Sequence, residues 1–154
     1  MVDIPNTIKE LHLSISLSVE CFFVQGIAFL HSISNGYGFR TVEHLNDYKR
    51  KYNEKIMISR VKRCINIYHA RGLTVERLNK DNKFACIKDE ILPKNLIIVA
   101  AEKHVSDVKG SIRTVKEGTR CHVHRLPYEH YKKIMVTGCM TKSIKELNQI
   151  PSKN

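Results

Sequence analysis

Hydrophobic and polar positions change period along the chain, first matching strands and then helices. Residues 17–25 are rich in Val and Phe and end at Gly26, which predicts a strand, a tight connection at the glycine and a second strand over 27–34. The Asn-Gly pair that follows is a typical turn signal, so we expect a third strand over 37–42. Three strands joined by short turns predict an antiparallel meander.

The remaining two thirds of the chain alternate between helical and strand patterns. Residues 47–70 predict a helix, in which one face is traced by Tyr48, Tyr52, Ile56, Ser59, Arg63 and Ile67. Further strands are predicted over 73–78 and 96–101, and further helices over 84–91, from Val105 or Ser106 to Pro127, and over 128–147. This order predicts a single α/β domain over residues 1–150, with a five-stranded mixed sheet, flanking helices and a tail over 151–154.

Composition places the chain among ordinary globular proteins. It has 154 residues, of which 42% are apolar and 27% are charged. The apolar stretch 21–30 is too short to span a bilayer, so no membrane partner is expected. Five irregularly spaced cysteines argue against a disulfide framework, and residues 1–20 lack a secretory pattern. We therefore expect an intracellular protein in a reducing compartment.

The net charge of +11 is concentrated in two segments, with eight bases against three acids in residues 36–70 and ten against four in residues 105–154. Such blocks favour a polyanionic partner, nucleic acid above all, because neutralised phosphates release counterions. The runs 49–51 and 60–63 are typical of a nuclear import signal or a phosphate-binding face. A solvated surface is the alternative in each case.

Two acids lie where a sheet commonly binds ligands. Glu20 lies inside an apolar strand, where an unpaired carboxylate is costly to bury, so it faces either solvent or a crevice. Asp81 follows the fourth predicted strand, and Asp81-Asn82 is by itself an ordinary turn signal.

Ordered strings over nearly the whole chain carry a family resemblance. They are VDIP (2–5), FFVQGIAFL (22–30), SIS (32–34), RGL (71–73), LNKDNKF (78–84), HVSDV (104–108), SIRTVKE (111–117) and LNQIP (147–151). Together they resemble the integrase core of Ty1/copia-type retrotransposons. The resemblance implies an RNase H-like fold and three carboxylates that hold two divalent metals, usually Mg²⁺, for attack on phosphodiesters of DNA.

Residue by residue, the resemblance implies a degenerate catalytic set. Asp81 matches the second acid, whereas Glu20 stands where the family has Asp, and its extra methylene displaces the oxygens by roughly 1 to 1.5 Å. Lys109 stands where the third acid belongs, so a cation replaces a metal ligand. We therefore expect a pseudoenzyme with no resident cofactor, in which Glu20 points into the crevice beside Asp81.

A residual metal-dependent nuclease or polynucleotidyl transferase is the alternative function. It would hold Mg²⁺ or Mn²⁺ at Glu20 and Asp81, with Glu117 as the weak candidate for a third ligand. Glu117 is separated from Asp81 by 35 intervening residues, close to the family's usual interval, but its neighbouring residues match a stretch beyond the catalytic glutamate.

The helix after Val105 is the predicted nucleic-acid contact. One stripe consists of Lys109, Arg113, Lys116 and Arg120, and a neighbouring stripe for burial consists of Val105, Val108, Ile112, Val115 and Thr119. We expect the basic stripe to follow a phosphate backbone without reading bases, and its alternative role is to solubilise the helix.

A third class of function, a zinc or protein-interaction module, rests on the string 121–124 with His130 and Cys139. That spacing matches no zinc pattern. A cysteine nucleophile with a histidine base also lacks any supporting local motif.

Overall fold

The computed structural model describes residues 14–45, 54–80, 97–100, 105–128 and 130–150. The strands are β1 (Ser14–Val24), β2 (Ile27–Ser34), β3 (Arg40–His44), β4 (Thr74–Lys80) and β5 (Ile97–Ala100), and the helices are α1 (Glu54–His69), α2 (Val105–His124) and α3 (Lys133–Leu147). Across these ranges, no helix combines the length and apolar character needed to cross a bilayer.

The five strands form one mixed sheet in the order β3-β2-β1-β4-β5. β1 to β3 pair antiparallel, and β4 and β5 continue the sheet in parallel with β1. The predicted meander and the mixed five-stranded sheet are therefore confirmed. The first hairpin is tight because Gln25 and Gly26 both adopt positive φ angles, 47° and 74°, which match the twist of the flanking strands.

Helices cover both faces of the sheet. α1 packs on one face, and α2 and α3 pack on the other, so alternate residues of each central strand enter different cores. We call them the α1-side core, which includes Leu17, Leu30, Val61 and Tyr68, and the α2-side core, which includes Phe22, Phe29, Val115 and Met140. β2 is buried along its whole length because it lies between both layers.

Several predicted boundaries need correction. β3 begins at Arg40 because Gly36 and Gly38, with φ angles of 90° and 63°, extend the preceding turn. The helix predicted from residue 128 begins at Lys133, since Lys132 is extended and Tyr131 packs against the α2-side core before the chain turns into the helix. The helix predicted over 84–91 lies outside the described residues.

The predicted buried face of the first helix is wrong. Ser59 and Arg63 of that face are exposed, and residues 46–53 lie outside the described part. The buried residues of α1 are Met57, Ile58, Val61, Cys64, Ile65 and Tyr68. They follow one another at helical spacing with apolar or weakly polar side chains throughout, whereas the predicted face mixed apolar with polar residues.

Candidate functional site

The order of the strands reverses at β1: β2 and β3 follow on one side of it, and β4 and β5 lie on the other side, with β4 parallel to β1. Ligands of α/β sheets bind at the carboxyl ends of strands at such a point. The paired register ends at Val19 opposite Lys80, one residue before Glu20. Beside the last register pair, the Asn79 side-chain amide donates to the Ser18 hydroxyl oxygen at 3.3 Å and links β4 to β1.

Glu20 lies on the sheet face that α2 and α3 cover. It shares its side of β1 with Phe22 and Val24 of the α2-side core, and it stands opposite His31 in the antiparallel register. The side chain is half-buried, so it does not lie on a fully solvated face. Asp81 lies outside the described residues, and the expected proximity of the two carboxylates stays a prediction.

Lys109 is exposed in the first half of α2, directly after buried Val108. A two-metal centre needs oxygen ligands, and this position presents an ammonium group instead. In the part of the chain that the structure describes, no three His, Cys, Asp or Glu side chains are grouped so that they could hold a metal ion. Because Asp81 lies outside the described residues, the loss of the metal pair that the resemblance implies stays a prediction.

Glu117, the candidate third ligand, forms an ion pair on the surface of α2. Its side chain is 57% exposed, and its Oε1 accepts a hydrogen bond from Nε of Arg113 at 3.1 Å, one helical turn away. The pair lies on the solvent side of α2, where such ion pairs contribute little to stability.

A buried chain of polar contacts fixes α2 on the sheet, and the sequence patterns did not reveal it. Because a carbonyl oxygen only accepts, Nδ1 of His31 donates to the Thr41 carbonyl at 3.0 Å, and Nε2 accepts from the Ser111 hydroxyl at 2.9 Å. Nε of Arg40 donates to the same Ser111 oxygen at 3.0 Å. Burial lowers the pKa of His31 to about 4, so the ring is neutral at physiological pH.

The sequence signal for these polar contacts is the histidine in β2 (IAFLHSIS), a strand whose other residues are apolar or small. Its partners come from β3 and α2, and no local pattern identifies them.

Asn148 holds the end of α3 against the edge strand. The Arg40 backbone N–H donates to Oδ1 of Asn148, and Nδ2 of Asn148 donates to the Arg40 carbonyl, both at 2.8 Å. The side-chain amide thus takes the place of a neighbouring strand residue. Together with the His31 contacts, this pairing sets the position of the α2–α3 layer.

The predicted basic row on α2 is largely exposed. Lys109, Arg113 and Arg120 face solvent, and the Arg113 side chain is 83% exposed. Lys116 is half-buried, and its Nζ lies 5.6 Å from the centre of the Phe22 ring, which is cation–π geometry. On the neighbouring stripe of the helix, Val108, Ile112, Val115 and Thr119 are buried as predicted, while the Val105 side chain lies outside the described residues.

The histidine string on α2 is not a ligand cluster. Val123 is buried, and Nε2 of His122 lies 2.9 Å from Oε2 of Glu146 on α3, whereas His124 and Cys121 are exposed. His122 therefore contributes to the contact between α2 and α3.

Comparison with known proteins finds similarity in structure alone. No protein-family profile matches the sequence, and no curated protein matches it. The catalytic core domain of BIV integrase superposes with a TM-score of 0.64 at 9% identity, over 90% of this chain and 86% of that one. The HTLV-2 integrase catalytic core domain, in a trimeric form in complex with magnesium, gives a TM-score of 0.61 at 14% identity, over 93% and 88%. The chain therefore has the RNase H-like fold of integrase catalytic cores.

Proposed function

We propose that this protein is an integrase-core-like protein derived from a Ty1/copia-type transposable element, which has lost phosphodiester chemistry and binds DNA along α2 in the nucleus. The observation that carries the proposal is Lys109, an exposed cation in the first half of α2 where the resemblance places the third catalytic acid. The integrase-core fold and the basic row on the same helix support it.

Loss of chemistry follows from the charge at Lys109. Two metals about 4 Å apart stabilise the attacking and leaving oxygens of phosphodiester transfer, and their ligands must be negatively charged or neutral oxygens. An ammonium group there repels the ions and donates no lone pair. The half-buried Glu20 on the same side of the sheet is what favours the second candidate, a residual metal-dependent nuclease that also uses Asp81.

Binding of DNA places weaker demands on geometry. The row from Lys109 to Arg120 spans eleven residues, or about 16 Å of helix, and can follow a phosphate backbone. The His31 and Asn148 contacts hold the helix rigidly on the sheet, so the row is presented in one orientation. Binding of this kind is tolerant of sequence and weakens as salt rises.

A nicking and strand-transfer assay on duplex DNA with Mg²⁺ or Mn²⁺ tests the lost chemistry. We expect no cleavage by the wild-type protein above the protein-free control. Lys109→Glu restores the acid, and any cleavage that it gains must vanish on adding Asp81→Ala, whereas the charge-matched control Lys145→Glu on α3 remains inactive. Wild-type cleavage that is lost in Asp81→Ala would establish the nuclease instead.

The affinity for a fluorescent duplex, measured from low to physiological salt, tests the binding. Arg113→Ala with Arg120→Ala should weaken binding about tenfold at low salt and reduce the salt slope by about two. Lys142→Ala with Lys145→Ala on α3 removes the same charge and should change affinity less. If the α2 double variant binds with unchanged affinity and slope, α2 is not the contact.

A further inference from the structure

A second basic surface lies on α1, on the other side of the sheet from the basic row of α2. An open groove of about 480 Å³ follows this helix, and its described lining consists of Lys55, Ile58, Ser59, Lys62, Arg63 and Asn66. We call it the α1 groove. None of these lining residues is acidic, so its polar groups are suited to an anionic ligand.

The spacing of the lining residues matches an extended polyanion. Positions 55, 59, 62 and 66 follow one another at intervals of four, three and four and form one stripe along α1. Lys55 and Lys62 are separated by about 10.5 Å of helix, over which one strand of DNA presents about three phosphates. The Ser59 hydroxyl and the Asn66 amide add uncharged donors to the same stripe.

A buried carboxylate holds the arginines of this region in place. Oε1 of Glu43 lies 3.1 Å from Nε of Arg63, and Oε2 lies 3.4 Å from Nη1 of Arg60. The Glu43 side chain is 11% exposed and lies under the helix, whereas that of Arg63 is 65% exposed. Since Glu43 engages Nε, this ion pair leaves the terminal N–H groups of Arg63 available to an anion, in a guanidinium that is already oriented.

Lys62 is the most available cation of the groove. It is exposed, and none of the described carboxylates forms an ion pair with it. A phosphate there would gain an ionic contact without displacing an existing one.

We propose that the α1 groove is a second phosphate-binding surface, so that one molecule holds two DNA duplexes, one on each side of its sheet. Binding of the first duplex rests on the function proposed above for α2. The two ligands do not compete, because the sheet separates α1 from the α2–α3 layer. The protein thus bridges duplexes, a behaviour that a single basic face does not produce.

Energy transfer between donor-labelled and acceptor-labelled duplexes, at limiting protein, measures bridging, and anisotropy measures binding of the first duplex. Lys55→Gln with Lys62→Gln should reduce bridging about fivefold or more while first-duplex affinity changes by about twofold or less. The matched control, Lys142→Gln with Lys145→Gln, should leave the ratio of bridging to binding unchanged. Equal thermal unfolding of all variants confirms that they are folded.

Tripolyphosphate provides a readout that does not depend on α2. In ¹⁵N-correlated NMR spectra, it should shift the Ser59 backbone and Asn66 side-chain signals of the wild type, with a much smaller shift in the Lys55→Gln, Lys62→Gln variant. If duplex binds but bridging survives in that variant, the second surface is refuted. If no duplex binds, the proposed function fails. The tripolyphosphate shifts then test phosphate binding in the α1 groove by themselves, and their absence would overturn it.

Discussion

Leu30 and His31 are neighbours in β2, both fully buried, yet they enter layers of different character. Leu30 belongs to the α1-side core, where apolar contacts have no preferred direction, although Tyr68 of the same core donates to the Phe39 carbonyl at 2.9 Å. His31 on the other face depends on hydrogen bonds to Thr41 and Ser111 that have one workable geometry. The contacts of Leu30 therefore depend on volume, and those of His31 depend also on orientation.

The proposed function, in which DNA binding outlasts phosphodiester chemistry, rests on a similar contrast between loose and strict geometric demands. A basic row or groove works over a range of side-chain positions because phosphate contacts are long-range and multiple. A two-metal centre needs each ligand in place, so a lysine at a ligand position, as proposed for Lys109, would remove it. The directional contacts of the α2 layer still fix the helix, although the described residues form no metal site there.

The largest effect expected from this comparison is a loss of stability in Leu30→Ala. Removing a fully buried leucine should lower the free energy of unfolding by about 2–5 kcal/mol, because the cavity in the α1-side core collapses only partially. Urea denaturation at pH 7 and pH 5 measures it, and the loss should be the same at both. Ile134→Ala, at an exposed site on α3, should change stability by about 0.5 kcal/mol or less. A loss at Leu30 that depends strongly on pH would contradict the apolar character of this layer.

A smaller effect, on the other face, should depend on pH through His31. Its pKa is lowered from 6.5 to about 4 by burial, so the folded state favours the neutral ring. The stabilisation is fully present above pH 6.5 and is lost as pH falls through this window towards 4. At 1.36 kcal/mol per pH unit, lowering the pH from 6.5 to 5 should cost about 2 kcal/mol.

The His31→Gln variant separates this effect from other titrations. It should be less stable than the wild type at pH 7, and its free energy of unfolding should change less between pH 6.5 and 5. His124→Gln, at an exposed position of α2, should keep the wild-type slope. Equal slopes in His31→Gln and the wild type would show that the ring does not titrate as its burial implies.

Local patterns predicted the features that depend on local forces. The bounds of β2 and the buried stripe of α2 are correct, because strand and helix periods are set within one element. The predicted face of α1 was wrong because the helix has two stripes that could be buried against the sheet. Only the packing against the sheet selects between them. The His31–Ser111 and Arg40–Asn148 contacts join residues 80 and 108 positions apart, so no local pattern contains them.

For the candidate site, Lys109, Arg113 and Arg120 of the predicted basic row are exposed on α2, whereas Lys116 is half-buried, and the role of the row stays a prediction. The contact of Lys116 with Phe22 was not foreseen, because it depends on how closely the helix approaches β1.

The smallest expected effect tests how closely α2 and α3 pack. Gly138 on α3 is exposed, and a Cβ built there would meet nothing within 4 Å, so Gly138→Ala should stabilise the protein by up to about 1 kcal/mol through helix propensity. At Gly118 on α2, a Cβ would lie 3.1 Å from Oγ of Ser143, and the crowding should offset most of the same gain. Thermal unfolding resolves the difference, since 1 kcal/mol corresponds to about 2–4 °C for a chain of this size.

Adding Ser143→Ala removes the crowding oxygen, so Gly118→Ala should be more favourable in that background than in the wild type. Equal gains at Gly118 and Gly138 in the wild-type background would mean that the two helices lie further apart than the contact implies.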